Sequence, residues 1–218
     1  QIDKIPNNWK LLRFKTISKL KYGLGQPPNE MIGGLPIIRA TNVYRGKIDI
    51  KDLLFVDPND VPYERDPILR KDDIIVVRSG AYTADSAIIP EEFDGAVTGY
   101  DLVVRCNKNI FPKFVAYALL SKYLLEDQLL LLSSRAAQPH LNREELGNSK
   151  ILLPDYNEQK IIAEHLDIIT EKIDNTIENT NDQINILQSY RKSLIHECVT
   201  GKKQVWEGKN WRSKLAMA

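Results

Sequence analysis

Residues 155–200 run for 46 positions without a glycine or a proline, and no other feature restricts the fold of this chain so strongly. Asp155, with Glu158 three residues later, has the spacing of an N-terminal capping box, and Gly201 stands where a C-cap glycine ends a helix. Leu166, Ile169, Ile173, Thr176, Thr180, Gln183, Leu187, Tyr190 and Leu194 follow alternating steps of three and four, and Ile162, Ile177, Ile184 and Ile195 widen the same face. This is a heptad seam with polar interruptions. At about 1.5 Å per residue the helix is about 70 Å long, more than a domain of ordinary size can cover. The pattern predicts a coiled-coil arm that needs a partner helix, with Thr176, Thr180 and Gln183 setting register. The plainer alternative is one or two ordinary helices with a bend.

The preceding residues read differently. Glycine and proline are frequent there, and short apolar runs alternate with turn signals. Strands are expected at 35–41, 87–89 and 102–105, at 73–78 (DIIVVR) and at 150–153 (KILL). Helices are expected over about 9–20, over about 112–132 with Pro112 in the first turn, and after Asn142 with Glu145 three residues on. The expected fold class is therefore α+β, a mixed α/β globular domain followed by a long coiled-coil-forming helix. The domains are expected at 1–154, 155–200 and 201–218.

Several classes of function are excluded or made poor. No run of 18 apolar residues exists to span a membrane. No positive-then-apolar leader opens the chain, and Cys106 and Cys198 are far apart and fit no C-x-x-C pattern. A cytoplasmic protein with two free thiols is expected. There is no phosphate-binding P-loop, no dinucleotide fingerprint beyond a lone Gly23-x-Gly25, no H-E-x-x-H and no Gly-x-Ser-x-Gly. His140, His165 and His196 are too scattered for a metal site, and Asp72-Asp73 reads as a turn. No catalytic residue, metal or cofactor is expected.

What remains is binding. Three loops carry side chains suited to bases and phosphates: Arg39, Thr41 and Asn42; Arg78, Ser79, Gly80 and Tyr82; and Arg135, Gln138 and Asn142. Arginine suits guanine or phosphate, Asn and Gln suit adenine, and a small Ser-Gly turn lets a loop approach a backbone closely. Arg39 and Asn42 can equally stabilise a strand end, and the stretch around 135–142 can instead anchor the domain to the long helix. The 30 basic residues against 29 acidic ones argue against a purely electrostatic binder. The balance is nevertheless local: residues 4–21 hold six bases and no acid, 49–66 hold six acids, and 191–214 hold seven bases and two acids.

Four stretches together resemble one family, the specificity subunits of type I restriction–modification systems (HsdS). Ile5-Pro6-Asn7-Asn8-Trp9-Lys10 is similar to the Ile-Pro-x-x-Trp opening of its target-recognition domains. Ile37-Ile38-Arg39-Ala40-Thr41-Asn42-Val43 resembles its "yIRatNi" strand. Residues 69–80 resemble "l..gDilvvrsG", with Asp72 where that pattern has glycine. Gln138-Pro139-His140-Leu141-Asn142, followed by Leu152-Leu153-Pro154-Asp155-Tyr156-Asn157-Glu158-Gln159, resembles the join between recognition domain and conserved helix. Order and spacing over about 200 residues make the combination specific.

The resemblance implies a non-catalytic subunit that binds double-stranded DNA and partners methyltransferase (modification) subunits and a restriction subunit. It implies one recognition domain per half-site and a long helix as spacer. Family members usually carry two domains and two helices, whereas this chain has one of each. It is therefore expected to homodimerise through antiparallel helices using Leu166, Ile169, Ile173, Ile177, Ile184, Leu187 and Leu194, or to be half of a longer protein. The competing readings are a stalked protein-interaction module without DNA specificity and an enzyme whose site forms across a dimer.

Overall fold

The computed structural model describes residues 5–133 and 139–205. The chain divides into two compact units, Gln1–Glu164 and His165–Ala218. The first opens with β1 (Lys10–Arg13), a single turn α1 (Phe14–Ile17) and β2 (Ser18–Tyr22). There follow β3 (Glu30–Ile38), β4 (Val43–Tyr44), β5 (Lys47–Ile48), β6 (Leu54–Val56), β7 (Ile74–Val76), β8 (Ser86–Ile88), β9 (Val97–Thr98) and β10 (Leu102–Cys106). Helices α2 (Pro112–Leu120), α3 (Lys122–Leu124), α4 (Leu131–Ser133) and α5 (Arg143–Asn148) come next. Then β11 (Lys150–Leu153) leads into α6 (Tyr156–Val199). The fold is mixed α/β with a long terminal helix.

A four-stranded antiparallel sheet in the order β2-β10-β7-β8 forms the middle of the unit. Its apolar runs are continuous because both faces are covered. Ile74, Val76, Leu102 and Val104 pack on one side with Phe14, Phe114, Leu119 and Leu146. Ile75, Val77 and Val103, one residue out of phase, pack on the other with Ile38, Val43 and Leu69. A second sheet, β6-β3-β9, closes a smaller core of Leu24, Ile37, Val56, Val61 and Val97. Just before β7 the buried Asp73 carboxylate accepts from Arg105 Nε at 2.8 Å and Nη2 at 2.6 Å, and from the Arg70 amide at 2.9 Å.

Two of the expected helices differ. Residues 9–20 are not one helix but strand, turn and strand. β1 pairs with β11 and β2 with β10, while the turn between them drives Phe14 and Ile17 into the core. Their apolar spacing imitates a helix, but distant strands supply the hydrogen bonds. The helix expected over 112–132 breaks at Ser121, which is extended and caps the next turn through its hydroxyl to the Leu124 amide; residues Leu125–Leu130 then form a π-helix. The strand expected at 35–41 ends at Ile38, because Arg39 caps a 3₁₀ turn, Ala40–Asn42. The strand at Lys150–Leu153 and the capping box of Asn142 and Glu145 form as expected.

The start of α6 uses its signals unequally. Asp155 Oδ1 accepts from the Glu158 amide at 3.0 Å, as a cap should. The Glu158 carboxylate does not reach back; it accepts from Trp9 Nε1 and Asn8 Nδ2, both at 3.1 Å. Gln159, 1% exposed, accepts from the Phe111 amide at 2.8 Å and donates to the Pro154 carbonyl at 2.9 Å.

In the second unit α6 continues unbroken, and Gly201 follows it with φ +75°. Ile169, Ile173, Ile177, Ile184 and Leu187 are exposed, whereas Leu166 and Leu194 are half-buried. The polar seam residues Thr176 and Thr180 donate to the carbonyls of Lys172 and Thr176, so their hydroxyls need no partner helix. Ile168 and Ile186 are also exposed, off the seam. Among the described residues no helix is long and apolar enough to cross a membrane.

Candidate nucleic-acid interface

Antiparallel register collects strand ends at one edge of the central sheet. Leu102, at the start of β10, pairs with Tyr22 at the end of β2 and with Val76 at the end of β7. The residues just beyond that row, Tyr100–Asp101 and Arg78, therefore emerge beside Tyr22. β3 joins from the second sheet: Ile38 pairs with Thr98, and the Gly99 amide donates to the Ile38 carbonyl at 2.8 Å, placing Arg39 next to Gly99.

At this convergence the Arg78 guanidinium lies over Tyr22 at 4.5 Å and over Tyr100 at 4.4 Å from the ring centroids. A cation between two aromatic faces has its plane fixed before any ligand arrives. Arg143, first residue of α5, also lies over Tyr22, at 5.5 Å from the ring centroid, and its amide donates to the Tyr22 hydroxyl at 3.0 Å. Arg39 donates to the Asp52 carbonyl at 3.3 Å, and the Nε atoms of Arg39 and Arg78 are both buried without a hydrogen-bond partner. Arg78 meets one carboxylate, Asp101, which is 2% exposed and accepts from the Arg78 amide at 3.0 Å. Burial pushes its carboxyl above the usual carboxylate range, while the amides of Arg78 and Ala40 and the Arg78 charge pull the other way. A cleft of about 250 Å³ opens alongside, lined by Leu24, Pro27, Arg39, Thr41, Ser79 and Tyr100.

Close approach of the strands here depends on glycine. A Cβ on Gly23 would stand 1.9 Å from the Gly99 carbonyl oxygen. Gly23 is therefore required by this approach, while Gly25 lines the adjacent cleft with open space where a Cβ would stand.

The loop after Arg78 carries a second aromatic group. Gly80 turns it with φ +97°, Thr83 Oγ1 donates to the carbonyls of Gly80 and Pro139, and Tyr82 ends up 49% exposed. Tyr82 meets Tyr44 edge-to-face at 6.3 Å, and Arg45 lies over Tyr44 at 5.4 Å. Arg45 and Gly46 both have positive φ, the geometry of a tight two-residue hairpin between β4 and β5.

Of the sequence candidates, Arg39, Thr41, Arg78 and Ser79 line the convergence, and Gly80 and Tyr82 form the adjoining loop. The third loop meets the second, since the Leu141 amide donates to the Arg78 carbonyl at 2.8 Å and Ser79 bridges His140. Asn42 is fully buried; it accepts from the Arg39 amide and donates to the carbonyls of Asp49 and Lys51. Asn142 Oδ1 caps α5 by accepting from the Glu144 and Glu145 amides. Arg135 and Gln138 lie outside the described residues. Among the described residues no group of three or more His, Cys, Asp or Glu could hold a metal ion.

Tyr22, Tyr100, Arg143, Asp101, Tyr44 and Arg45 were not among the sequence candidates. Tyr22-Gly23 and Gly99-Tyr100, each an aromatic beside a glycine at a strand end, are the signal that marks two of them.

Residues 6–186 match the Type I restriction modification DNA specificity domain. The chain belongs to this family. It is 30% identical over 206 residues to the type I restriction enzyme EcoKI specificity subunit of Escherichia coli K12, covering 91% of this chain and 44% of that protein. Among solved structures, a type I restriction–modification chain superposes with a TM-score of 0.67 at 16% identity, over 89% of this chain and 46% of that one. The HsdS subunit of Thermoanaerobacter tengcongensis gives 0.55 at 18% identity, over 79% and 45%. The chain spans about half the length of the curated relatives it matches.

The specificity-domain motifs acquire physical reasons here. The opening Trp9 and the Glu158-Gln159 pair meet in space through the Trp9–Glu158 hydrogen bond. Asp72, which stands where the family pattern has glycine, has φ +67°, a conformation that glycine adopts without strain and Asp tolerates.

Proposed function

We propose that this chain is a non-catalytic DNA-recognition subunit of a type I restriction–modification complex, one recognition domain reading one half-site. The observation that carries the reading is Arg78, stacked between Tyr22 and Tyr100 and flanked by Arg39 and Arg143 where four strand ends converge. A pre-oriented guanidinium suits bidentate recognition of guanine or phosphate, and exposed tyrosines suit contacts to sugar and base. The long helix pairs antiparallel with that of a second copy through Leu166, Ile169, Ile173, Ile177, Ile184, Leu187 and Leu194. Two identical domains then face two half-sites of an inverted repeat. Catalysis resides in the methyltransferase and restriction subunits that this chain positions on DNA, in the cytoplasm.

The test is to sequence methylated sites in cells that express the chain with its methyltransferase subunit. An inverted repeat with a fixed gap is expected, and Arg78→Ala should relax one position of each half-site by about 1–3 kcal/mol of discrimination. An unchanged methylation profile in that variant overturns the assignment of Arg78. Duplex binding that does not weaken with added salt overturns the DNA reading as a whole.

A further inference from the structure

We infer that Asp101 is a positioning residue that holds the Arg39–Asn42 turn and the Arg78–Thr83 loop in one fixed geometry, so that both contribute to a single half-site reading. The inference rests on the DNA reading above and deepens it.

Among the described residues of the first unit two carboxylates are buried, at 2% exposure each, and they are used differently. Asp73 lies just before β7, at the end of the strand away from Arg78, and forms a bidentate pair with Arg105, an arrangement that serves the fold. Asp101 lies at the rim, in the wall of the cleft, and its partners are the loops themselves. Its Oδ1 accepts from the Arg78 amide at 3.0 Å, and the Ala40 amide faces it across the same cleft wall. Its own carbonyl accepts from the Gly23 amide at 2.8 Å, behind Tyr22. Its neighbour in sequence, Tyr100, supplies one face of the Arg78 sandwich. One side chain thus holds the backbone that carries Arg78 and abuts the turn that carries Arg39, and one residue meets three strand ends.

The chemistry fits a tie rather than a reader. A carboxylate this deeply buried, bonded to the Arg78 amide and faced by the Ala40 amide, presents little of itself to DNA. Its burial is unfavourable unless those amides compensate. The compensation works only while both loops keep their places, so displacing either one exposes the cost. Neither loop can then adjust independently to a wrong base, and discrimination at both positions depends on Asp101.

Target profiles of the full chain, expressed with its methyltransferase subunit, test this in four variants: Arg39→Ala, Arg78→Ala, Asp101→Asn and Asp101→Ala. The arginine variants identify the base position that depends on each loop. Asp101→Asn keeps the shape and removes the charge, so it is expected to fold, and thermal melting checks this. The expected result is loss of discrimination at both positions together, by about fivefold or more at each, and a larger loss in Asp101→Ala. A merely structural role would lower the active fraction equally for every sequence and leave the profile unchanged. An unchanged profile in a folded Asp101→Asn protein, or relaxation at one position alone, overturns the inference while leaving the DNA reading intact. If neither arginine variant alters the profile, the reading at these loops falls, and the role of Asp101 falls with it.

Discussion

Replacing Ile177 by aspartate tests the arm directly. Ile177 is 54% exposed in the isolated chain, and the seam around it, Ile173, Ile184 and Leu187, is exposed to a similar degree. Complete burial of an isoleucine is worth about 1.5–3 kcal/mol, so the half still available is worth about 1 kcal/mol. Two-fold symmetry places the same change twice in a dimer, for about 2 kcal/mol in all, and that corresponds to roughly a thirtyfold weaker dissociation constant. Desolvating two carboxylates adds to the loss, so thirtyfold is a lower bound. Sedimentation equilibrium over nanomolar to micromolar concentrations measures it, with Glu178→Gln, on the opposite face of the helix, as the control. A wild-type chain that stays monomeric at micromolar concentration refutes the reasoning, and so does an Ile177→Asp constant within a factor of three of wild type.

Arg105→Met should destabilise the first unit by about 3–5 kcal/mol, because Asp73 is left as an unpaired buried carboxylate. Urea unfolding measures the loss, and adding Asp73→Asn should recover part of it. The two thiols should react at different rates. Burial pushes the Cys106 thiol up to about 12, with repulsion from Asp73 and Asp72 adding to the effect. A thiol there holds only ~10⁻⁴ of its population as the reactive thiolate at pH 8. Iodoacetamide should therefore label Cys198, on α6, well before Cys106, as peptide mapping will show; the reverse order would contradict the burial argument.

The parts legible in the sequence are those whose signals are local. The long helix follows from the absence of any breaker and from a sustained period, and the Asn142–Glu145 box from a spacing of three. The apolar runs at β7 and β10 are strands buried on both faces. Non-local pairing defeated the rest. Residues 9–20 carry an apolar spacing compatible with a helix, and only β10 and β11, some eighty to a hundred and forty residues downstream, make them strands. The site shows the same division. Arg78 was legible as a polar residue closing a strand, but its partners Tyr22 and Tyr100 are brought to it only by sheet register. Asn42 and Asn142 carry the right chemistry for reading a base, yet local hydrogen bonds consume it, a competition expected of short amide side chains near helix starts and turns.

The length of the arm gives a further, geometric consequence. If two copies pair antiparallel through the exposed seam, the separation of their recognition domains is set by the number of residues in α6, at about 1.5 Å each. Inserting one heptad after Thr180 keeps the seam in phase, because seven residues restore the same face of a paired helix. Thr180 suits the insertion, since its hydroxyl is satisfied within its own helix and its surroundings are solvent-exposed. The arm lengthens by about 10 Å, the axial length of about three base pairs of B-DNA. The half-sites themselves should remain unchanged, since nothing near Arg78 or Arg39 is altered, while the gap between them in the methylation profile should grow by about three base pairs. Inserting three residues instead adds length but rotates the seam out of phase, and should abolish dimerisation rather than shift the gap. An unchanged gap in a heptad variant that still dimerises would mean that α6 does not act as the spacer.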